Sequence, residues 1–378
     1  MHMTQLYCPG GIQSKSGISS QSGVASQDRY PDAAISNSGD LISDIERIIN
    51  ENPGPYVIPI WNSHQGSIPA SLFIWNHIEA EQIKIYDLWP KEIEFSLVKR
   101  KGTNEIKNII SVTVAEQQCS KFLSGYKFTG TKLTTVAFDE FIKDTNYHGV
   151  LVAPQSSLSD EYTIVEDNVA NDNNFTAFIN FYGLFEWVYE KKKHFLTAIT
   201  TSRLSSGLSD QELALFDNLF TNVDDISKIP RLIFVFELDD KVGLIFEGDQ
   251  ISAGDLLTSE EMQESDIRIY EEVGSLEMMY SETLKGLLET RFPTLTQGDF
   301  LIHNGSNTFM FACPALGIYT HGYKRDAVEP VVRFYMHKVF ETIKGGAKVT
   351  PEQRGFFSKY EAAWNANPLN FMQYIEVE

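Results

Sequence analysis

From Tyr56 to Tyr182, short apolar runs of strand length alternate with segments whose apolar residues recur at helical spacing. That alternation is the signature of an α/β architecture, in which helices cover a sheet they help to connect. Tyr56 to Ile60 reads as a strand, Asn62 to Gly66 as a polar turn, and Ser67 to Ile78 as a buried helix with Pro69 in its first turn. Lys84 to Lys101 holds two β-rich runs. Strands follow at Ile109–Val114, Gly149–Ala153, Tyr162–Glu166 and Phe175–Tyr182. Helices are expected at Glu116–Leu123 and after Thr134-Thr135, which read as an N-cap. Asp40 to Ile49 is a further helix, stopped by Asn52-Pro53-Gly54-Pro55. Residues 13–28, rich in Ser, Gly and Gln, read either as a flexible linker or as a loop opening a helix.

After Gly183 the pattern changes. Arg231 to Glu247 is two alternating runs around Asp239-Asp240, and Phe300 to Ala312 is a second hairpin with Asn304-Gly305 in its turn. Helices are expected at Glu277–Phe292, Val331–Ile343 and Pro351–Trp364. The fold class is therefore α/β followed by an α+β domain at 190–378, whose role the residues leave open.

Charge narrows the function classes. With 31 basic and 51 acidic residues the net charge is −20, and both halves share it, 13 against 21 up to residue 184 and 18 against 30 after it. Such a chain repels phosphate backbones and anionic lipid, so neither nucleic acid nor membrane is expected as a partner. No apolar run approaches the roughly 18–20 residues that span a bilayer. The opening residues carry no secretory pattern. Cys8, Cys119 and Cys313 fit neither a metal spacing nor a disulfide framework, so no metal is expected and a cytoplasmic setting is.

Several first-half motifs resemble, in order, those of the prephenate dehydratase family and its decarboxylase-like branch, over about residues 5–183. These are CPGGIQS at Cys8–Ser14, IPIWNSHQGS at Ile58–Ser67, Ser111 with QQCSKFL at Gln117–Leu123, LTTVA at Leu133–Ala137, and NDNNFTAF at Asn171–Phe178. The resemblance implies a two-lobed catalytic domain like a type II periplasmic binding protein. Lobe one would take about 5–80 and 168–183, and lobe two about 81–167. It implies a lyase of aromatic amino acid biosynthesis that acts on prephenate or a related cyclohexadienyl dicarboxylate without a cofactor. Ser14, Asn62, Ser63, Ser111, Thr134 and Thr135 would bind substrate, and Thr176 would assist the leaving hydroxide. The chemistry is compatible: a dianion is held by hydroxyls, amides and helix-start N–H groups. A homo-oligomer stays open.

Five positions depart from the family pattern: Gly10, Ile12, Trp61, Val112 and Ala177. Ala177 stands where the family has Arg, and alanine cannot replace a bidentate carboxylate partner. The expectation is thus a divergent lyase, decarboxylating with or without loss of hydroxide. The alternative is a binding module that reports a small carboxylate to the second half. That half lacks the resemblance and any convincing ACT pattern, and its roughly 190 residues are too many for the single small regulatory ACT domain the family often carries. In it, His303-Asn304 is read as a hairpin flank and His337/Glu341 as a helix-surface contact. Cys313 is read as a buried thiol, and His321, Tyr323, Lys324 and Arg325 as a cationic surface loop with an anion site as the sharper reading.

Overall fold

The structure, a computed structural model, describes residues 5–8, 17–37, 55–62, 66–67, 83–153, 156–170, 179–186, 192–202, 210–221, 223–237, 241–291, 299–304, 308–323, 325–373 and 375–376. The chain runs β1 (Gln5–Cys8), α1 (Gln21–Arg29), β2 (Ala34–Asn37), β3 (Tyr56–Asn62), β4 (Gly66–Ser67), β5 (Lys84–Glu92), β6 (Ser96–Arg100) and β7 (Asn108–Val112). It continues through α2 (Ala115–Gln118), α3 (Ser120–Leu123), β8 (Lys127–Thr131), α4 (Thr134–Lys143), β9 (Gly149–Val152), β10 (Tyr162–Glu166) and β11 (Ile179–Glu186). The second half holds β12 (His194–Ser202), α5 (Asp210–Phe220), β13 (Arg231–Glu237), β14 (Lys241–Gly248), α6 (Ala253–Leu256), α7 (Ser259–Glu264), β15 (Arg268–Leu276) and α8 (Tyr280–Arg291). It ends with β16 (Leu301–Asn304), β17 (Thr308–Cys313), β18 (Ile318–Tyr323), α9 (Arg325–Lys344), α10 (Pro351–Ala366) and β19 (Ile375–Glu376). The helices expected at Asp40–Ile49 and within 68–78 lie outside the described residues.

Two compact units result: 1–64, 68–75 and 90–188 form one, and 65–67, 76–89 and 189–378 the other. One of the passages between them falls inside β5, between Trp89 and Pro90.

The first unit contains two sheets. In one, β1 lies between parallel β2 and β3, and β11 runs antiparallel to β3. The other has the order β10-β6-β9-β7-β8, with β7 parallel to both β8 and β9. The period-2 alternation of β7 sends Ile109 to one face and Ile110 to the other. Ile109 packs with Leu97, Leu151, Ala115, Cys119 and Leu123, under α2 and α3. Ile110 packs with Val98, Val150, Val152, Ala137, Phe138 and Phe141, under α4. Both faces are covered, which is why β7 and β9 read as unbroken apolar runs.

In the second unit, β12 to β15 with α5 and the short α6 and α7 make a βαββαβ unit in the spatial order β13-β14-β12-β15, all antiparallel. That is the split βαβ order of ferredoxin-like folds. About a hundred residues follow this unit in the second half. The addition extends the sheet as β18, β17 and β16, with β18 parallel to β13. One face is covered by α5, α9 and α10 through a core that includes Leu232, Phe246, Phe311, Val332, Tyr335 and Phe340.

The segment expected as a cationic surface loop is largely a buried strand. Residues 318–323 are a central strand, and His321 and Thr320 are 0% exposed. Burial pushes the His321 imidazole down to about 3, so it is neutral. Arg325 belongs to α9 and pairs with Glu329. Cys313 is buried ahead of the turn at Pro314–Leu316, as expected.

Candidate functional site

In an open sheet with parallel strands, ligands bind beyond the carboxyl ends of those strands. In the first unit that edge is formed by Ser111-Val112 of β7, Thr131 of β8 and Val152-Ala153 of β9. The chain reaches it with a close approach: a Cβ on Gly130 would stand 2.7 Å from Thr113 Oγ1 and 3.1 Å from its Cα. Glycine is what lets β8 pass Thr113 there.

Thr131 Oγ1 lies 2.9 Å from the carbonyl of Leu133 and 3.2 Å from that of Ser111, which fixes the turn into α4. The turn makes Leu133 the N-cap, extended at φ −138° and ψ 148°, with no side-chain cap. Thr134 and Thr135 are therefore the first two helical residues rather than the cap expected from sequence. They are 4% and 8% exposed, and neither hydroxyl makes a hydrogen bond with a described residue. The first-turn N–H groups of a helix have no partner within it, and here no side chain caps them. An uncapped helix start flanked by two buried hydroxyls is a donor set for an anion.

Ser111 lies on the same edge, fully buried, but its hydroxyl donates to the carbonyl of Leu151 at 3.0 Å. Its proton is committed to joining β7 to β9, so Ser111 meets a ligand as an acceptor unless that bond opens.

A third segment closes on this edge. Ser157 N donates to Gly17 O at 2.8 Å, and Ser19 N to Ser156 Oγ at 3.3 Å. Gly17 has φ +76°, and a Cβ there would meet Ser157 O at 2.3 Å, so only glycine serves. Ile18 then packs with Ile110 and Phe138, and Ser20 caps α1 by accepting from Gly23 N at 2.9 Å. From Gly17 onward the Ser/Gly segment is a loop opening a helix, and residues 13–16 lie outside the described residues. Where the chain leaves the second sheet, Ser96 Oγ donates to Asp167 Oδ1 at 2.8 Å. Asn168 follows in the left-handed region at φ 52°, with a buried Oδ1 that has no hydrogen-bond partner. Gln118 on α2 is 3% exposed with an unpartnered Oε1. Sequence reasoning missed Asn168 and Gln118 as candidates. Only burial reveals their orphan acceptors, and no spacing signals it.

The structure brings Ser111, Thr134 and Thr135 to one edge. Asn62 is the last residue of β3, its backbone opposite Asn180 of β11; β3 runs two residues past the expected end. Ser67, expected to open a helix, is in β4. Ser14, Ser63 and Thr176 lie outside the described residues. The Cys119 thiol is pushed up to about 12 by burial, which keeps it protonated and unreactive. Among the described residues no cluster of three His, Cys, Asp or Glu side chains could hold a metal ion. No described helix is long and apolar enough to cross a membrane.

Residues 41–182 match the family model described as prephenate dehydratase. No curated protein matches. Among solved structures, prephenate dehydratase from Arthrobacter aurescens, in complex with L-Phe, is 13% identical with a TM-score of 0.53. That likeness covers 78% of this chain and 100% of that one, so it runs on into the second half. GqqA, described as a novel type of quorum quenching acylase, is 11% identical with a TM-score of 0.50, covering 71% and 95%. Prephenate dehydratase from Staphylococcus aureus subsp. aureus Mu50 is 14% identical with a TM-score of 0.49, covering 72% and 100%. At these identities the likeness is one of fold.

Proposed function

We infer that the first unit binds a small cyclohexadienyl dicarboxylate, prephenate or a near relative, and acts on it as a divergent lyase. The observation that carries the reading is the uncapped start of α4, with the unbonded hydroxyls of Thr134 and Thr135 beside it on the carboxyl edge of a parallel sheet. The family match over 41–182 supports it independently.

In the reaction the bond from ring carbon to carboxylate breaks, carbon dioxide leaves, and its electron pair enters the ring. In a dehydratase the pair expels the ring hydroxyl, which departs as water after taking a proton. Thr176 is the residue proposed to assist that departure, with Asn62, Ser63, Thr134 and Thr135 holding the carboxylates. In a decarboxylase the ring hydroxyl stays and a ring carbon takes the proton instead. Aromatisation or conjugation drives either course, so donor placement matters more than a strong base.

A second reading, a binding module without turnover, is favoured by two observations: the committed hydroxyl of Ser111 and Ala177 in place of a guanidinium. Incubation with prephenate separates the readings. Loss of substrate with growth of an aromatic or dihydroaromatic absorbance supports the lyase. Saturable binding with substrate intact supports the module. Neither turnover nor binding refutes both. A cytoplasmic place in aromatic amino acid biosynthesis belongs to the lyase reading.

A further inference from the structure

The run Leu133-Thr134-Thr135 can open α4 in either of two ways. Threonine is a good N-cap and leucine a poor one, so local preference puts the cap at Thr134. The Thr134 hydroxyl would then accept from the backbone N–H of Val136 or Ala137, and the helix start would close on itself. The structure takes the other course. Leu133 is the cap, and its carbonyl accepts from Ala137 N at 3.0 Å. The N–H groups of Thr134, Thr135 and Val136 have no side-chain cap, and the Thr134 hydroxyl makes no hydrogen bond with a described residue.

Thr131 decides between the two. Its Oγ1 lies 2.9 Å from the same Leu133 carbonyl, so Leu133 O receives one donor from within α4 and one from β8. Moving the cap to Thr134 would take that carbonyl out of the first helical bond and away from Thr131. Thr131 is itself held from the other side. Its own carbonyl accepts from Thr113 N at 2.9 Å and from Thr113 Oγ1 at 3.1 Å, the approach that Gly130 permits. The helix thus forgoes a side-chain cap, a factor of about five in stability, to keep a start that its own sequence would close. An open start is what an anion requires.

We propose that Thr131 is the positioning residue of the anion site: its hydroxyl holds Leu133 as the cap and so keeps the first-turn N–H groups and the Thr134 hydroxyl open to a carboxylate. The proposal rests on the reading of the site given above and adds the residue on which its geometry depends. Thr131 acts through Leu133. Without its hydroxyl the cap passes to Thr134, whose own hydroxyl is then spent on its helix.

The test is a double-mutant cycle on the full chain: Thr131→Val, Thr134→Val and the pair, with Thr131→Ser as the rescue. Prephenate affinity is read by titration calorimetry and stability by urea unfolding. Thr131→Val should weaken binding by about tenfold, the weight of one hydrogen bond to a charged group, and Thr131→Ser should restore it. Thr134→Val should weaken binding in the wild-type background but add nothing to Thr131→Val, where that hydroxyl is already taken. In unfolding the pattern reverses. Thr134→Val should be neutral in the wild-type background. In Thr131→Val it removes an N-cap and should raise the unfolding equilibrium constant about fivefold. Thr131→Ala stands in if Thr131→Val does not fold by circular dichroism. Additive changes in both measurements, wild-type affinity in Thr131→Val, or no restoration by Thr131→Ser would overturn the proposal. If the wild-type chain does not bind prephenate, the reading of the site fails and the unfolding cycle alone decides: the reversal supports the role of Thr131, and additivity overturns it.

Discussion

The indole N–H of Trp364 on α10 donates to Nδ1 of His337 on α9 at 3.0 Å. An indole only donates, so Nδ1 must be bare and the imidazole neutral, with its proton on Nε2. Nε2 faces Glu341 at 3.5 Å. Burial lowers the His337 pKa from its ordinary value, and Lys338 lowers it further, against the opposing pull of Glu341 and Asp217. Lys338 is itself occupied by Asp217 and Glu341. Protonation would set two donors face to face and loosen the tie between α9 and α10.

Stability should therefore fall as pH drops below 6.5, the ordinary histidine value. There the unfolded chain takes up the proton and the folded chain resists it. Urea unfolding at pH 7.5 and 5.5 measures the difference. In His337→Gln, where an amide oxygen can accept from Trp364 and nothing titrates, the difference should shrink. An equal difference in the variant would show that another group carries it.

Glu247 of β14 is a buried acid that meets the start of a helix. Its carboxylate accepts from the backbone N–H groups of Tyr280 at 2.6 Å and Ser281 at 3.0 Å, at the start of α8. Arg231 sits opposite it in the β13–β14 register and donates to Ser281 Oγ at 2.8 Å. Glu247→Ala should cost about 1–3 kcal/mol in denaturant unfolding, since it leaves the buried N–H groups of Tyr280 and Ser281 without their acceptor. Burial, the largest influence, raises the Glu247 pKa from 4.5. The folded chain thus holds that proton more tightly, so this group's contribution declines as pH rises through and above 4.5. Glu247→Gln should flatten stability over that range; an unchanged slope would exclude Glu247 as its source.

Gly274 allows β5 to join the second unit's sheet. A Cβ there would stand 2.4 Å from Ile85 O, a backbone atom that cannot yield, where β15 and β5 pair in parallel. Gly274→Ala should destabilise by about 1–3 kcal/mol and speed amide exchange in Lys84–Leu88. Wild-type exchange there would mean that the pairing tolerates a methyl group.

How much of this was legible depended on how apolar residues are spaced. The hairpin of β13 and β14 was visible because Leu232, Phe234, Val242 and Leu244 alternate with their neighbours. β18 was not, because its buried residues include Tyr319, Thr320 and His321, which look solvent-facing in a string of letters. Only its place between β17 and β13 buries them. β12 hid for a similar reason: Thr197, Thr200 and Thr201 are all buried, and Thr201 is partnered by Glu212 of α5. At the site, Ser111, Thr134 and Thr135 were picked out by the family pattern rather than by chemistry. The pattern carried no sign of the one-residue shift that made Leu133 the cap, because Thr131 sets it through hydrogen bonds to the carbonyls of Leu133 and Ser111.

Four substitutions, at Thr134, Thr135, Thr176 and Asn62, separate the readings of the first unit. Thr134→Val and Thr135→Val keep shape and remove a hydroxyl that no described residue uses, so the fold should be unaffected. If these hydroxyls bind carboxylate, each change should weaken prephenate binding by about tenfold to a hundredfold, the weight of a hydrogen bond to a charged group. Thr176→Val should act differently. In a dehydratase it removes a donor needed as hydroxide departs, so turnover should fall by about 10²–10³ with little change in affinity. In a decarboxylase that keeps its ring hydroxyl there is no departing hydroxide, so Thr176→Val should cost far less than Thr134→Val or Asn62→Ala. In a pure binding module, affinity changes at Thr134 and Thr135 while substrate stays intact throughout. Turnover by absorbance and affinity by calorimetry on the four variants distinguish these cases. Unchanged turnover and unchanged affinity in all four would mean that the anion site is not at the start of α4.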